Sequence, residues 1–260
     1  MFSRFTHAIV RPPARSFADG LTTASLGAPD VDRALEQHAA YCRALEQHGC
    51  TLTVLPADDA HPDSTFVEDT VLVLPGRGAI LTRPGAPSRE GEVTAMLAPI
   101  AAHFSDIATI NAPGTLDAGD VCEAEALVLI GISHRTNDEG ARQLAAWLST
   151  YGIASRTIDI RDVPGILHLK SGLVALDRRV AVAIDALATH PALHDFEVIR
   201  VAPSENYAAN CVRVNDVVFV AEGFPILHDT LRARGYTLVP LAMQEFEKMD
   251  GGLSCLSVRF

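Results

Sequence analysis

Apolar residues along the chain alternate between two rhythms, one helical and one strand-like. Asp30 is placed to cap a helix, and Val31, Leu35, Cys42 and Leu45 share a stripe at helical spacing. Gly49 offers a left-handed stop, and Thr51 to Leu55 then read as a strand. The succession returns with Ser88 as a cap, a helix over Glu90 to His103 and a strand at Ile107 to Ile110. A third helix spans Asn137 to Tyr151, stops at Gly152 and leads into Ala154 to Ile160. A short stretch interrupted by Pro191 precedes Glu197 to Val201, and Pro225 to Arg234 stops at Gly235 before Thr237 to Leu241.

After each strand comes a loop and then further β-like segments. These are Thr70 to Leu74 with Ala79 to Leu81, Ala126 to Ile130, Leu173 to Leu176 with Val180 to Ile184, Cys211 to Val214 with Val217 to Val220, and Ser254 to Val258. The last unit lacks a second strand, while the first has an extra one at Ala8 to Arg11. A ring in which the N-terminal strand completes the C-terminal unit accounts for both, because closure removes unpaired sheet edges. The expected fold is therefore α/β, five ββαβ-like units in a closed ring. At 260 residues and 48% hydrophobic, the whole span 1–260 is expected to be one domain.

The formal charge of −11, with 32 acidic against 21 basic residues, argues against nucleic acid, which needs a basic face; it suits a small cationic substrate as well as plain solubility. No apolar run reaches the roughly 20 residues that span a bilayer, and Met1 to Arg15 has no hydrophobic core of a signal peptide, so the cytoplasm is expected. Five cysteines without a Cys-x-x-Cys pair fit a reducing compartment and no zinc site, leaving room for a working thiol.

If the five loops converge, they bring together Asp63, Glu68 and Asp69 from the first, Asp117 and Asp120 from the second, His168 from the third, Glu205 and Asn206 from the fourth, and Asp250 and Cys255 from the fifth. Cys255 follows the Gly251-Gly252 turn, where backbone can approach a ligand. It reads either as a small apolar residue of the last strand or as a nucleophile that a nearby cation must activate. His168 could protonate a leaving amine and then activate water, with Asp117 orienting the ring; alone, each is also ordinary core or turn chemistry. Glu68 and Asp69 suit the planar guanidinium fork, although strand neighbours point to opposite faces, so only one would face a given site directly. Arg83, Arg89 and Arg135 are candidate partners for a carboxylate. Asp59-x-His61-x-Asp63 has the spacing of a binuclear manganese site, but the second carboxylate cluster such a site needs is missing.

Asp250-Gly-Gly-Leu-Ser-Cys255 at the C-terminal end, with Phe66-Val-Glu-Asp69, Leu116-Asp-Ala-Gly-Asp-Val121, Leu167-His-Leu-Lys-Ser-Gly172, Arg11-Pro-Pro-Ala-Arg-Ser16 and Glu205-Asn-Tyr-Ala-Ala-Asn-Cys211, resembles the dimethylarginine dimethylaminohydrolase family of the guanidine-modifying, or pentein, superfamily. The resemblance covers essentially the whole chain. It implies a five-bladed α/β propeller and hydrolysis of Nω-methylated arginines to citrulline and a methylamine, with no metal and no cofactor. It further implies Cys255 as nucleophile, His168 as general acid and base, and Asp117 as its partner. Glu68 and Asp69 then hold the guanidinium, Arg89 and Arg135 the α-carboxylate, and Asp63 and Leu21 the α-amino end. Bacterial relatives often carry Glu where Asp117 stands, which puts the reach of the shorter side chain to His168 in question. Rival readings are arginine deimination and a ring-shaped binding module of the same fold; a homodimer is admitted by analogy of fold only.

Overall fold

The computed structural model describes residues 4–125 and 127–260. In chain order the strands and helices are β1 (His7–Val10), α1 (Val31–Gln47), β2 (Thr51–Val54), β3 (Val71–Leu74), β4 (Gly78–Leu81), α2 (Glu90–Ala101), β5 (Ile107–Thr109), β6 (Val121–Ala124), β7 (Leu127–Ile132), α3 (Asp138–Thr150), β8 (Ala154–Asp159), α4 (Leu169–Gly172), β9 (Leu173–Ala175), β10 (Val180–Ile184), β11 (Glu197–Val201), β12 (Val212–Val214), β13 (Val217–Ala221), α5 (Pro225–Ala233), β14 (Thr237–Leu241), α6 (Gln244–Glu247) and β15 (Val258–Arg259).

They form five three-stranded sheets, β3-β4-β5, β6-β7-β8, β9-β10-β11, β12-β13-β14 and β15-β1-β2. In each, the middle strand runs antiparallel to the first and parallel to the third. A parallel step needs a crossover, and α1, α2, α3 and α5 supply it; between β10 and β11 a single 3-10 turn at Pro191–Leu193 takes that place, because Pro191 interrupts the helical pattern. The fifth sheet is closed as expected: Ala8 pairs with Arg259 and Ile9 with Val258, while β1 pairs in parallel with β2. The architecture is the five-unit α/β propeller.

The first strand of every unit faces the axis. Residues of β3, β6, β9, β12 and β15 together line an axial cavity of about 410 Å³. The middle strands β4 and β13 are buried along their full length, so they read as continuous apolar runs rather than alternating ones.

Local signals decided most boundaries. Asp30 accepts the Arg33 N–H at 3.1 Å and Asn137 the Gly140 N–H at 2.8 Å, which satisfies orphan donors at the starts of α1 and α3. Gly49, Gly152 and Gly235 end their helices at φ +97°, +70° and +85°. Ser88 is no cap: it lies within a 3-10 turn, Pro87–Arg89, that runs straight into α2. The buried stripe of α1 is Ala34, Gln37, His38, Tyr41, Ala44 and Leu45, with Leu35 and Cys42 only at its margin. An apolar pattern misses it because Gln37 is buried through bonds to Gln244 and the Glu245 N–H. Strand β6 was not foreseen, and Ala126, expected to open the next strand, lies outside the described residues.

Candidate active site

Cys255 sits in a 3-10 turn, Ser254–Leu256, just ahead of β15 and not in the strand itself. The two glycines before it are there for space. A Cβ on Gly251 would lie 2.3 Å from the Phe66 ring, and one on Gly252 2.5 Å from Cγ of Asn210. Asp250 adopts φ +57° and accepts the Thr23 N–H at 2.5 Å, which ties the turn to the segment after Leu21. Asp63 accepts the Leu21 N–H at 3.1 Å. The thiol opens onto a pocket shared with Leu21, Asp63, Asp69, Arg89, Arg135 and His168. Its volume is small, about 20 Å³, and it opens to solvent.

His168 ends the loop before α4 and is 4% exposed. Its Nε2 lies 3.0 Å from Oδ2 of Asp117, and its Nδ1 4.0 Å from Oδ1 of Asp69. The shorter carboxylate at 117 therefore reaches the ring. Burial works against a charge on the imidazole, but Asp69, the hydrogen bond to Asp117 and the charge of Asp120 outweigh it and lift the pKa to about 9. The ring is an imidazolium at neutral pH, the form a general acid needs. Gly119 makes this meeting possible: its N–H donates to Asp69 at 2.9 Å, and a Cβ there would fall 2.6 Å from the Asp69 carboxylate and 2.8 Å from the His168 ring. Asp120 is buried, which raises its carboxyl to about 6, and it accepts the Leu169 N–H at 2.9 Å and the Ser133 hydroxyl at 2.6 Å.

Glu68 and Asp69 part company, but not on the strand-like backbone expected of them: they lie in a 3-10 turn, Val67–Thr70, ahead of β3, where successive side chains point about a third of a turn apart. Asp69 faces the pocket and is held by Arg89 at 2.6 Å; despite burial, His168 and Arg89 keep its carboxyl below the usual range. Glu68 is absent from the pocket wall and turns to the axial cavity, where Lys170 at 2.8 Å and Arg259 at 3.1 Å share its Oε1. Its Oε2 is buried without a hydrogen-bond partner.

The arginines also differ. Arg89 is buried and committed to Asp69, to Glu92 at 2.7 Å and to the carbonyls of Asp63 and Phe66, leaving over only the second N–H of Nη1. Arg135 is half-buried and forms no salt bridge among the described residues. Arg83 pairs with Glu90 at 3.0 Å, outside the pocket.

Burial, then the charges of Glu68 and Asp69, push the Cys255 thiol up to about 12. The free protein thus holds a neutral thiol facing carboxylates, and a cation entering between them would reverse the sign of its environment. Alkylation of Cys255 by iodoacetamide in the ligand-free protein is expected to climb roughly tenfold per pH unit from about pH 7 to about pH 9 without a plateau. Peptide mass mapping across that range checks it; a plateau near neutrality would mean that the thiolate is already formed.

Asp59, His61 and Asp63 do not gather. Asp59 caps the Arg15 N–H, His61 bonds Asp58 at 2.9 Å and Asp63 holds Leu21. Ligand atoms of Asp69, Asp117 and His168 do lie within 4.8 Å of one another, but the protonated ring and Arg89 already balance these carboxylates. Glu205 and Asn206 also leave the candidate set. Both oxygens of Glu205 accept N–H groups at the start of α5, from Ile226 at 2.9 Å and Leu227 at 2.8 Å, and Asn206 is exposed. The fourth loop contributes Asn210 and Tyr207 instead, both bonded to the Cys255 turn. No signal at the level of residue type marks them, since the amide of Asn210 does not titrate and a single tyrosine reads as ordinary core.

No family model matches the chain. It is 42% identical over 257 residues to the N(G),N(G)-dimethylarginine dimethylaminohydrolase of Pseudomonas aeruginosa, covering 98% of this chain and 100% of that one, and 37% identical to the enzyme of that name from Streptomyces coelicolor, covering 97% and 96%. Superposed on the solved Pseudomonas structure, a cysteine-to-serine variant complexed with citrulline, it gives a TM-score of 0.95 at 41% identity over 99% of this chain and all of that one. A second structure of a dimethylarginine dimethylaminohydrolase, a histidine-to-glycine adduct with S-methyl-L-thiocitrulline, gives 0.94 at 42% identity, covering 98% and 100%. Ring topology and superposition define the class, a protein of the pentein fold. Within that class, the chain belongs to the dimethylarginine dimethylaminohydrolase family.

Proposed function

We propose that this protein hydrolyses Nω-methylated L-arginines to L-citrulline and a methylamine, with all 260 residues serving as one catalytic unit. The observation that carries the reading is the meeting of a buried thiol, an imidazolium and the Asp69 carboxylate in one pocket. Asp69 receives one edge of the guanidinium. Glu68 keeps a buried acceptor, Oε2, without a donor, but it lines the axial cavity and not this pocket, so its part is the negative charge it sets beside Cys255 rather than a bond to the guanidinium. Arg135 and the remaining N–H of Arg89 take the α-carboxylate, and Asp63 with the Leu21 main chain takes the amino group.

Bound there, the guanidinium offsets the carboxylates that hold the Cys255 proton on sulfur. As the guanidinium enters, the thiol releases its proton to solvent; the thiolate attacks the guanidinium carbon, forming a C–S bond, and His168 gives its own proton to the departing amine as the C–N bond breaks. Neutral His168, steadied by Asp117, then takes a proton from the water that attacks the S-alkylthiouronium; the C–S bond breaks, leaving citrulline and free thiol. None of these steps calls for a cofactor. The cytoplasm is the compartment that fits, since all five cysteines are unpaired; no helix among the described residues is long and apolar enough to cross a membrane.

The test is release of citrulline and dimethylamine from asymmetric dimethylarginine by chelator-treated protein, with unmethylated arginine in parallel. Turnover of the methylated substrate is expected. Ammonia from arginine in its place would make the protein a deiminase, and silence on both would overturn the reading.

A further inference from the structure

We propose that Asn210 is a positioning residue that sets the register between the nucleophile and the acid–base histidine. Its carboxamide, 5% exposed, is spent wholly on the two segments that carry them. Nδ2 donates to the Lys170 carbonyl at 2.9 Å and to the Ser254 hydroxyl at 3.0 Å, while Oδ1 accepts the Ser254 N–H at 2.9 Å. Lys170 stands two residues after His168, and Ser254 directly precedes Cys255. Among the described residues, no other side chain bonds the main chains of both segments.

The surroundings are built around that amide. Gly252 leaves the room it occupies, since a Cβ there would lie 2.5 Å from Cγ of Asn210. Tyr207, in the 3-10 segment Pro203–Ala209 that Asn210 ends, donates to the Gly251 carbonyl at 2.9 Å, so the nucleophile turn is gripped at two points. On the opposite side Asp120 fixes the Leu169 N–H. His168 is thereby held by its flanking main chain as well as by Asp117, and its position relative to Cys255 runs through Asn210. An amide is the group that can do this, because donor and acceptor are both required; Asp, of the same shape, has no donor for the Lys170 carbonyl. Misplacement of reacting groups by about 1 Å can cost on the order of 10²-fold in rate.

The inference rests on the roles given above to Cys255 and His168, and the test separates its failure from theirs. Asn210→Ala and Asn210→Asp are assayed below their melting temperatures for kcat and KM on asymmetric dimethylarginine, and Cys255 alkylation by iodoacetamide is followed at fixed pH without substrate. The expected result is a fall in kcat on the order of 10²-fold in both variants with KM within a few-fold, and alkylation of Cys255 accelerated several-fold in Asn210→Ala as its turn is released. Folded variants with wild-type kcat would reduce Asn210 to packing and overturn the proposal. Should the wild-type protein act on another guanidine, the alkylation comparison still decides: an unchanged rate overturns the positioning role, and a raised one upholds it.

Discussion

Cys255→Ser is expected to abolish citrulline release while leaving the fold intact. The exchange removes no carbon, and the N–H of residue 255 still donates to the Gly252 carbonyl, so the turn keeps its geometry. The hydroxyl is of another kind as a nucleophile. The thiol, even pushed up to about 12, becomes accessible as a thiolate once a guanidinium lies beside it, whereas a serine hydroxyl needs a strong base at hand. His168 cannot serve, being already protonated and turned to Asp117 and Asp69. A loss on the order of 10⁴-fold or more follows, as for other enzymes deprived of their nucleophile. Binding persists, because the guanidinium is held by the Asp69 carboxylate. The check is an assay paired with a thermal melt and calorimetric titration of substrate; wild-type-like turnover in this variant would eliminate covalent catalysis by Cys255.

The second large effect is at His168. With His168→Gly, amine departure loses its proton donor, and turnover of dimethylarginine is expected to drop by about 10²–10⁴-fold. A substrate whose leaving group departs without a proton, such as one carrying an S-methyl group on the reacting carbon, separates the two steps. Its attack survives, but water is no longer activated and the thiouronium stays on Cys255. Intact-mass measurement should show a stable adduct in His168→Gly and only a transient one in the wild-type protein. Equal turnover of the adduct in both would assign the water-activating base elsewhere. Loss of the imidazolium also removes a counter-charge, yet Asp69 keeps Arg89 and Asp117 keeps the Gly85 N–H at 2.8 Å, so the pocket is not left bare.

How far the sequence carried depends on what each feature rests on. The five-unit plan and the joining of the two chain ends in one sheet were legible, because strand count and edge closure follow from periodicity. Cys255, His168 and Asp117 were legible as reactive types delivered by consecutive loops, and the contact of Asp117 with His168 is present. The parting of Glu68 and Asp69 was expected from strand geometry, but a 3-10 turn at Val67–Thr70 produces it, and the resemblance gave both residues one role. Glu205 misled because a carboxylate aimed at a helix start looks like any other in sequence. The unequal commitments of Arg89 and Arg135 depend on Glu92, three residues along one turn from Arg89, and only the folded geometry shows that pairing. Gln37 and His38 were lost to a stripe drawn from apolar letters, since tertiary hydrogen bonds made burial affordable for Gln37.

The pairing of β1 with β15 bears on how the protein matures. Those strands are the pair most distant along the chain, and loop-closure entropy makes such contacts late and slow to form. The nucleophile turn leads directly into β15 and is anchored from it, through Arg259, whose Nη1 donates to the Ser254 carbonyl at 3.2 Å. Four sheets can therefore assemble from neighbours in sequence while the thiol still has no fixed address. A refolding or newly made molecule would show native helix and strand content before it has any catalytic competence, and the seam where the ring shuts is the event that switches chemistry on.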